Sequence, residues 1–284
     1  MKFKPLEGAR EEELALSILA GIDRGETRIF RGEAPSFGGF IDRLFYAAGQ
    51  TYGTYCASLD GEELHIQIGF DPDMPEGMES DMTALIKKSR AKANAKKACI
   101  WYPAANEILD RFIFTGLPWT AQVHKTYELT FKKNNPYEPS CLPETMSLLP
   151  FSEQYLDLTC AFLDTALSHT FNDPKASVFT RNKEHYAREW MEGTKECRVV
   201  FQGGEIVGAY ALTSSEIDIL AVAQRKQGQG LGRLLLHHAR ERIAATRDEE
   251  AFLYCMSTNL AAVQFYVRAG MTVTGYAGCA DLTP

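Results

Sequence analysis

Apolar and polar positions run through this chain in one plan, used twice. Residues 2–6, "KFKPL", read as a short strand ahead of the helix-like "AREEELALSILAGI". "RLFYAAGQTYGTYCAS" (43–58) then predicts strand, tight glycine-containing turn and strand. The apolar "LHIQIGF" leads into a long helix over about 80–97, a short strand "ACIWYP" and a second helix ending at Gly116. From residue 146 the order returns. "MSLLPF" precedes "SEQYLDLTCAFLDTAL", and "CRVVFQGGEIVGAYALT" (197–213) repeats strand, turn and strand, with Gly208 and Tyr210 where the first half has Gly53 and Tyr55. "EIDILAV", a helix over about 231–246, "AFLYCMS" and a helix ending at Gly270 complete it. Strands and helices intermixed in this way predict an α/β class with a mixed sheet in each half. Residues 132–145, "KKNNPYEPSCLPET", hold three prolines and no apolar periodicity. The expected division is therefore two tandem domains, 1–131 and 145–284, with a linker at 132–144.

Composition narrows the class without naming it. At 284 residues, 45% hydrophobic and 24% charged, the chain suits a globular protein of one large or two ordinary domains. A formal charge of −7 argues against a general nucleic-acid binder. The seven cysteines are an odd number, scattered, with no Cys-x-x-Cys pair. Neither structural zinc nor a disulfide framework is expected, and a reducing, cytoplasmic setting follows. The N-terminus is too acidic for a signal peptide, and no apolar run approaches the roughly 18–20 residues of a membrane span.

The chemistry concentrates at "AVAQRKQGQGLGRLLL" (221–236), an apolar strand that enters a helix through three glycines. No Lys follows them as in a P-loop, and Arg233 stands where a dinucleotide turn needs its third glycine. Glycines let backbone N–H groups turn inward and let phosphate oxygens approach. The helix starting near Leu231 adds free N–H groups and the positive end of its dipole, and Arg233 adds a charge. A pyrophosphate suits such a turn; a plain loop that starts a helix is the alternative.

Residues 145–284 resemble the GNAT family of acetyl-CoA-dependent N-acetyltransferases. The family signature is a strand ending in Val, Gln or Arg five residues later, then x-x-Gly-x-Gly/Ala opening a helix. Two registers fit, from Arg225 or from Gln227, and the five-residue spacing from Val222 selects Gln227-x-x-Gly230-x-Gly232. The resemblance implies that coenzyme A lies on Gln227, Gly228, Gln229, Gly230, Leu231, Gly232 and Arg233, with its pantetheine arm along the backbone of Leu220, Ala221 and Val222. "STNLAAVQFYVRAGM" (257–271) resembles a second family motif through Asn259, Ala262, Tyr266 and Gly270, with Met271 in place of the usual Phe. Asn259 is either a helix N-cap or a coenzyme contact. Tyr266 is either core or, as in the family, the donor of a hydrogen bond or proton to the leaving thiolate.

Acetyl transfer to an amine meets a protonation cost. An amine of pKa near 10.4 is neutral in only about one molecule in a thousand at pH 7, a deficit of roughly 4 kcal/mol. A positioned base contributes about 10²–10⁴ in rate. Glu216 stands six residues before Val222, where histone-type members carry a glutamate. Simple alternation puts Glu216 and Asp218 on one side of the strand, with Ile217 and Ile219 opposite. Glu216, Asp218 or another residue serves as base. Attack is expected to be direct, without a covalent acyl-enzyme, so no cysteine is given a nucleophilic role.

The first half reads as a degenerate copy. Sliding by 154 residues puts Asp73, Glu76 and Met78 where Gln227, Gly230 and Gly232 stand, among five acids (Asp71, Asp73, Glu76, Glu79, Asp81) that repel phosphate. Phe112 replaces the tyrosine, and Asn106 falls one residue out of register. The six basic residues of "MTALIKKSRAKANAKKA" suit a solvated helix face. His169, Asp173 and Lys175 are candidates for an acceptor loop, whereas His237 and His238 read as surface residues. The acceptor is expected to be a primary amine of a small molecule or peptide, with acetyl-CoA as co-substrate, no metal, no nucleic acid and no membrane. A homodimer is left open by the short tail after Gly270. The other reading is a non-catalytic acyl-CoA-binding or sensing protein.

Overall fold

The computed structural model describes residues 2–34, 37–60, 62–132, 142–168, 177–193, 195–247 and 249–283. Residues 133–141 of the expected linker, and His169, Asp173 and Lys175, lie outside them. The first copy of the plan runs β1 (Lys4–Pro5), α1 (Ala9–Leu19), α2 (Arg24–Phe30), β2 (Phe37–Ala48), β3 (Thr51–Asp60), β4 (Glu63–Asp71), α3 (Glu79–Ala93), β5 (Lys97–Pro103), α4 (Glu107–Arg111) and β6 (Thr120–Thr130). The second repeats it: β7 (Met146–Pro150), α5 (Leu156–Ala166), α6 (Val178–Arg181), α7 (Lys183–Met191), β8 (Glu196–Gln202), β9 (Glu205–Thr213), β10 (Glu216–Val222), α8 (Leu231–Thr246), β11 (Phe252–Met256), α9 (Leu260–Arg268) and β12 (Thr272–Leu282). The mixed α/β class read from the sequence is present in both copies.

Two compact units form, and they do not follow chain order throughout. The first holds Met1–Glu128, Met256–Thr258 and Val273–Pro284; the second holds Leu129–Cys255 and Asn259–Thr272. The last strand of the second copy thus belongs to the first unit, where strand order is β1-β2-β3-β4-β5-β12-β6. β12 pairs antiparallel with β5 from Ala277 opposite Pro103 to Leu282 opposite Ala98. Glycines let it in. A Cβ on Gly275 would stand 2.3 Å from the Ile22 carbonyl oxygen, and one on Gly278 would stand 2.2 Å from the Tyr102 ring. Ala280 and Leu282 then join the core of Ile66, Ile68, Met82 and Ile100. Chain order places the last strand after the second copy, while backbone pairing places it beside β5 of the first.

In the second unit the order is β11-β10-β9-β8-β7, with β10 and β11 parallel and the others antiparallel. β9, "EIVGAYALT", is buried on both faces, as its near-continuous apolar run requires. On one face Ala209, Ala211, Ile219 and Ala221 pack against Cys160 and Leu163 of α5, Phe179 of α6 and Trp190 of α7. On the other face lies α8, whose His238 Nδ1 meets the Tyr210 hydroxyl at 2.8 Å.

Candidate active site

The glycine turn stands between β10 and α8. After Val222 the chain makes one 3₁₀ turn, Gln224–Lys226, then bends through Gln227–Gly230 into the helix. Gly228 (φ 72°) and Gly230 (φ 86°) are left-handed, which is where glycine is needed, and space for 4 Å around a Cβ at either is empty. Gly232 differs. Its Cβ would point inward, 3.4 Å from Phe265 and 3.6 Å from Val222, so phosphate approach does not explain it. Gln227 Nε2 donates to the Val222 carbonyl at 3.3 Å, spanning the five residues of the motif and holding the turn shut. Gln229 Nε2 likewise donates to the Arg225 carbonyl at 2.9 Å, and Arg225 is paired with Glu205. Leu231 is buried, so only its backbone faces the turn; Arg233 is exposed on the first turn of α8. The first N–H of α8 to close within the helix is that of Leu234, onto Gly230 at 3.1 Å. Those before it are the donors that a helix start leaves for a ligand. An open, exposed turn with these donors fits a pyrophosphate.

β10 carries a bulge that the sequence reading did not foresee. Ile217 pairs with Leu212, but Ile219 pairs with Ala211, so Asp218 is an extra residue. Simple alternation therefore fails here. Glu216, opposite Thr213, shares the face of Ile219 and Ala221, the face packed by α5–α7, and Ile217 lies on the other. Asp218 is exposed and bonded by Lys195 Nζ at 2.9 Å, with Glu189 on the same ammonium at 3.3 Å. Burial works against the Lys195 charge, but these two carboxylates outweigh it and raise the ammonium pKa. Beyond the bulge, β10 and β11 separate: their parallel pairing is at Glu216 opposite Phe252. The glycine turn follows the carboxyl end of β10, which pairs parallel with β11, the usual place for a ligand in an α/β sheet.

α9 supplies the remaining candidates. Asn259 is its N-cap, accepting from Ala262 N at 3.2 Å. Tyr266 is half-buried; burial and the neighbouring Cys255 push its phenol well above the ordinary value, so it keeps its proton. Burial also pushes the Cys255 thiol up to about 11, which leaves it inert at neutral pH. Met271, standing for the usual Phe, is buried behind the helix.

Residues 167–281 match the family model of the acetyltransferase (GNAT) domain. The matched segment is similar to the GNAT domain and lies wholly within the second copy of the plan. Solved structures agree at the level of fold. A GCN5-related N-acetyltransferase from Sphaerobacter thermophilus is 13% identical, covers 99% of this chain and 95% of its own, and superposes with a TM-score of 0.57. A GNAT-family acetyltransferase from Colwellia psychrerythraea is 15% identical over the whole of both chains, TM-score 0.52. A tandem GNAT protein from the clavulanic acid biosynthesis pathway is 13% identical, covering 99% and 98%, TM-score 0.51. No curated protein matches the chain.

The first copy shows the same order of elements without the glycine turn. β4 and β5 pair through five parallel positions, from Glu63 opposite Lys97 to Gln67 opposite Trp101, against the single pair of β10 and β11. Met74 and Met78 fill the turn before α3 and are buried. The Asp73 carboxylate accepts from the backbone of Ile108 (3.0 Å) and Leu109 (3.3 Å), capping α4 from within the chain. Phe112 is core.

Two features escaped the sequence reading besides the bulge. His237 and His238 are not surface residues: His237 is buried beside Phe131, and His238 is bonded to Tyr210. Burial lowers both pKa values, helped by Arg233 and Arg240 at His237 and by Arg198 at His238. The signal was present, since Leu234, His237, His238 and Glu241 share one helical face. That face and β7–β8 line a cavity of about 350 Å³ that includes no residue of the glycine turn.

Proposed function

We propose that the chain is an acetyl-CoA-dependent N-acetyltransferase acting on a primary amine of a small molecule or peptide. One observation supports it above the rest: two left-handed glycines, Gly228 and Gly230, lead from the carboxyl end of β10 into α8 and leave the first N–H groups of the helix exposed. Acetyl-CoA supplies an activated acyl carbon as its thioester. In this reading the N–H groups at the start of α8 hold the pyrophosphate, and backbone N–H groups near the β10 bulge polarise the thioester carbonyl. Glu216, on the face packed by α5–α7, takes the ammonium proton of the acceptor, directly or through water. The amine attacks the carbonyl, the C–S bond breaks, and Tyr266 donates a hydrogen bond to the departing thiolate.

Thermal unfolding with and without acetyl-CoA tests the binding half of this reading. At a hundredfold excess over Kd, a specific ligand adds about 2.7 kcal/mol. The melting point of the parent is expected to rise and that of Gly230→Glu to stay still. A screen of amines for coenzyme release then separates an enzyme from a sensing protein, which binds without turnover. No shift at millimolar acetyl-CoA sinks both.

A further inference from the structure

Leu234, His237, His238 and Glu241 recur at the spacing of one stripe along α8. The strands beneath supply the opposite wall. In β8, Cys197 and Val199 pack against α5–α7, so Arg198 between them faces α8. Arg198 stands opposite Tyr210, whose hydroxyl meets His238 Nδ1 at 2.8 Å. In β7, Pro150 stands opposite Arg198 and Leu148 opposite Val200, so Met146 and Leu148 lie on that same side. β7 ends the strand order, and both side chains stay half-buried. Between helix and strands lies the cavity of about 350 Å³.

Its two walls carry opposite charges that do not meet. Glu196 accepts from Arg198 Nε at 2.8 Å and from Arg242 Nε and Nη2 at 3.0 and 3.2 Å. Two guanidiniums share one carboxylate, so one positive charge is left over. Arg198 spends only Nε there; among the described residues its two terminal nitrogens bond no protein group. On the helix, Glu241 is half-buried, and its carboxylate bonds no described residue, Arg198 included. Burial, then the charge of Arg198, lowers the His238 pKa, so the ring is neutral, and its Nε2 bonds no described residue. The rest of the lining is apolar: Leu142, Met146, Leu148 and Leu234. A few convergent polar groups in an apolar wall make a small-molecule site, and the volume falls at the lower end of the roughly 300–1,000 Å³ such sites occupy.

We propose that this cavity binds a free α-amino acid with an apolar side chain. The carboxylate lies on the terminal nitrogens of Arg198 and on His238 Nε2–H, which Tyr210 fixes as the donor by giving its own proton to Nδ1. The ammonium lies on Glu241, and the side chain packs against Leu142, Met146 and Leu148. A ligand with a carboxylate alone would be repelled by Glu241, and one with an amine alone would leave Arg198 unmet. At roughly 30 Å³ per water the cavity equals about a dozen waters, enough for leucine, methionine or phenylalanine. This site is separate from acetyl transfer. β8 and β7 stand two and three places from β10 in the sheet, about 10 and 14 Å at roughly 4.8 Å per strand. Glu216 moreover faces α5–α7, on the other side of the sheet.

The test is a ligand-observed NMR titration of the full chain without acetyl-CoA, with L-leucine, L-methionine and L-phenylalanine as probes. At least one is expected to bind with a Kd of about 1 mM or tighter. The best is then compared with its analogues lacking the amine (4-methylpentanoate for leucine) or the carboxylate (3-methylbutylamine). Each analogue is expected to bind the parent about tenfold more weakly or worse, the worth of one charged hydrogen bond. Glu241→Gln is expected to reverse the order: the amino acid weakens about tenfold, while the carboxylate analogue gains because its repulsion is gone. Equal binding of the amino acid and its carboxylate analogue by the parent overturns the proposal whatever the variant does. So does binding that Glu241→Gln leaves unchanged and Glu216→Gln abolishes, which would put the amino acid at the acceptor site. No saturation by any of the three at about 10 mM overturns it as well.

Discussion

Glu216 and Asp218 are two residues apart on one strand, yet their surroundings give them different work. The bulge turns Glu216 toward the α5–α7 face, while Asp218 holds Lys195. Glu216→Gln is therefore expected to lower kcat by about 10²–10⁴, the worth of a positioned base, and Asp218→Asn by much less. Tyr266→Phe is expected to lower kcat with little change in acetyl-CoA affinity, since in the proposed reaction its hydroxyl acts on a charge that develops only as the thiolate leaves. Steady-state kinetics with the best amine of the screen decides; equal losses in the two acid variants would remove Glu216 from the role. These residues were picked out by spacing and by the family resemblance. Their orientation was not, because alternation is a rule for an unbroken pleat and one extra residue reverses every side chain before it.

At the scale of an element, the turn into α8 divides its glycines by cause. Gly230 has φ 86° and empty space around a Cβ, so Gly230→Ala is expected to cost about 1 kcal/mol through backbone strain alone. Gly232 lies inside the helix and its Cβ would make ordinary contacts with Phe265 and Val222, so Gly232→Ala is expected to be neutral or slightly stabilising. Urea midpoints of the two variants without ligand check this, and equal destabilisation would contradict it. The motif was readable as a string because a glycine turn before a helix is local physics. That Gln227 ties back to the Val222 carbonyl appears only once the strand and turn are placed together.

Across the whole molecule, the last strand belongs to a unit assembled mainly from the first half of the chain. Three buried carboxylates gather where it enters. Glu128 accepts from Arg24 N at 2.8 Å and from the Thr274 hydroxyl at 2.7 Å, and Glu26 bonds His65. Asp23 caps α2 by accepting from Glu26 N at 2.9 Å. Burial, then the charges of Glu26 and Glu128, raise Asp23 to about 7 from 3.8. A raised carboxyl pKa stabilises the fold fully below the unfolded value, and that contribution is lost as pH rises through about 7. Asp23→Asn keeps the cap and cannot ionise. It is expected to exceed the parent in stability at pH 8 by up to a few kcal/mol, with the advantage shrinking toward pH 5. Chemical denaturation of both proteins at the two pH values measures it, and a pH-independent difference would refute the assignment.

By itself the sequence determined the repeated plan, the α/β class, the helix-opening turn and the loss of that turn in the first copy. These rest on periodicity, glycine and charge, which act between neighbours in the chain. Tertiary structure alone decided the ownership of β12, the face that Glu216 occupies and the burial of His237. Each depends on which strand a backbone hydrogen-bonds to, and residues far apart in sequence compete for that place with no local mark of the winner.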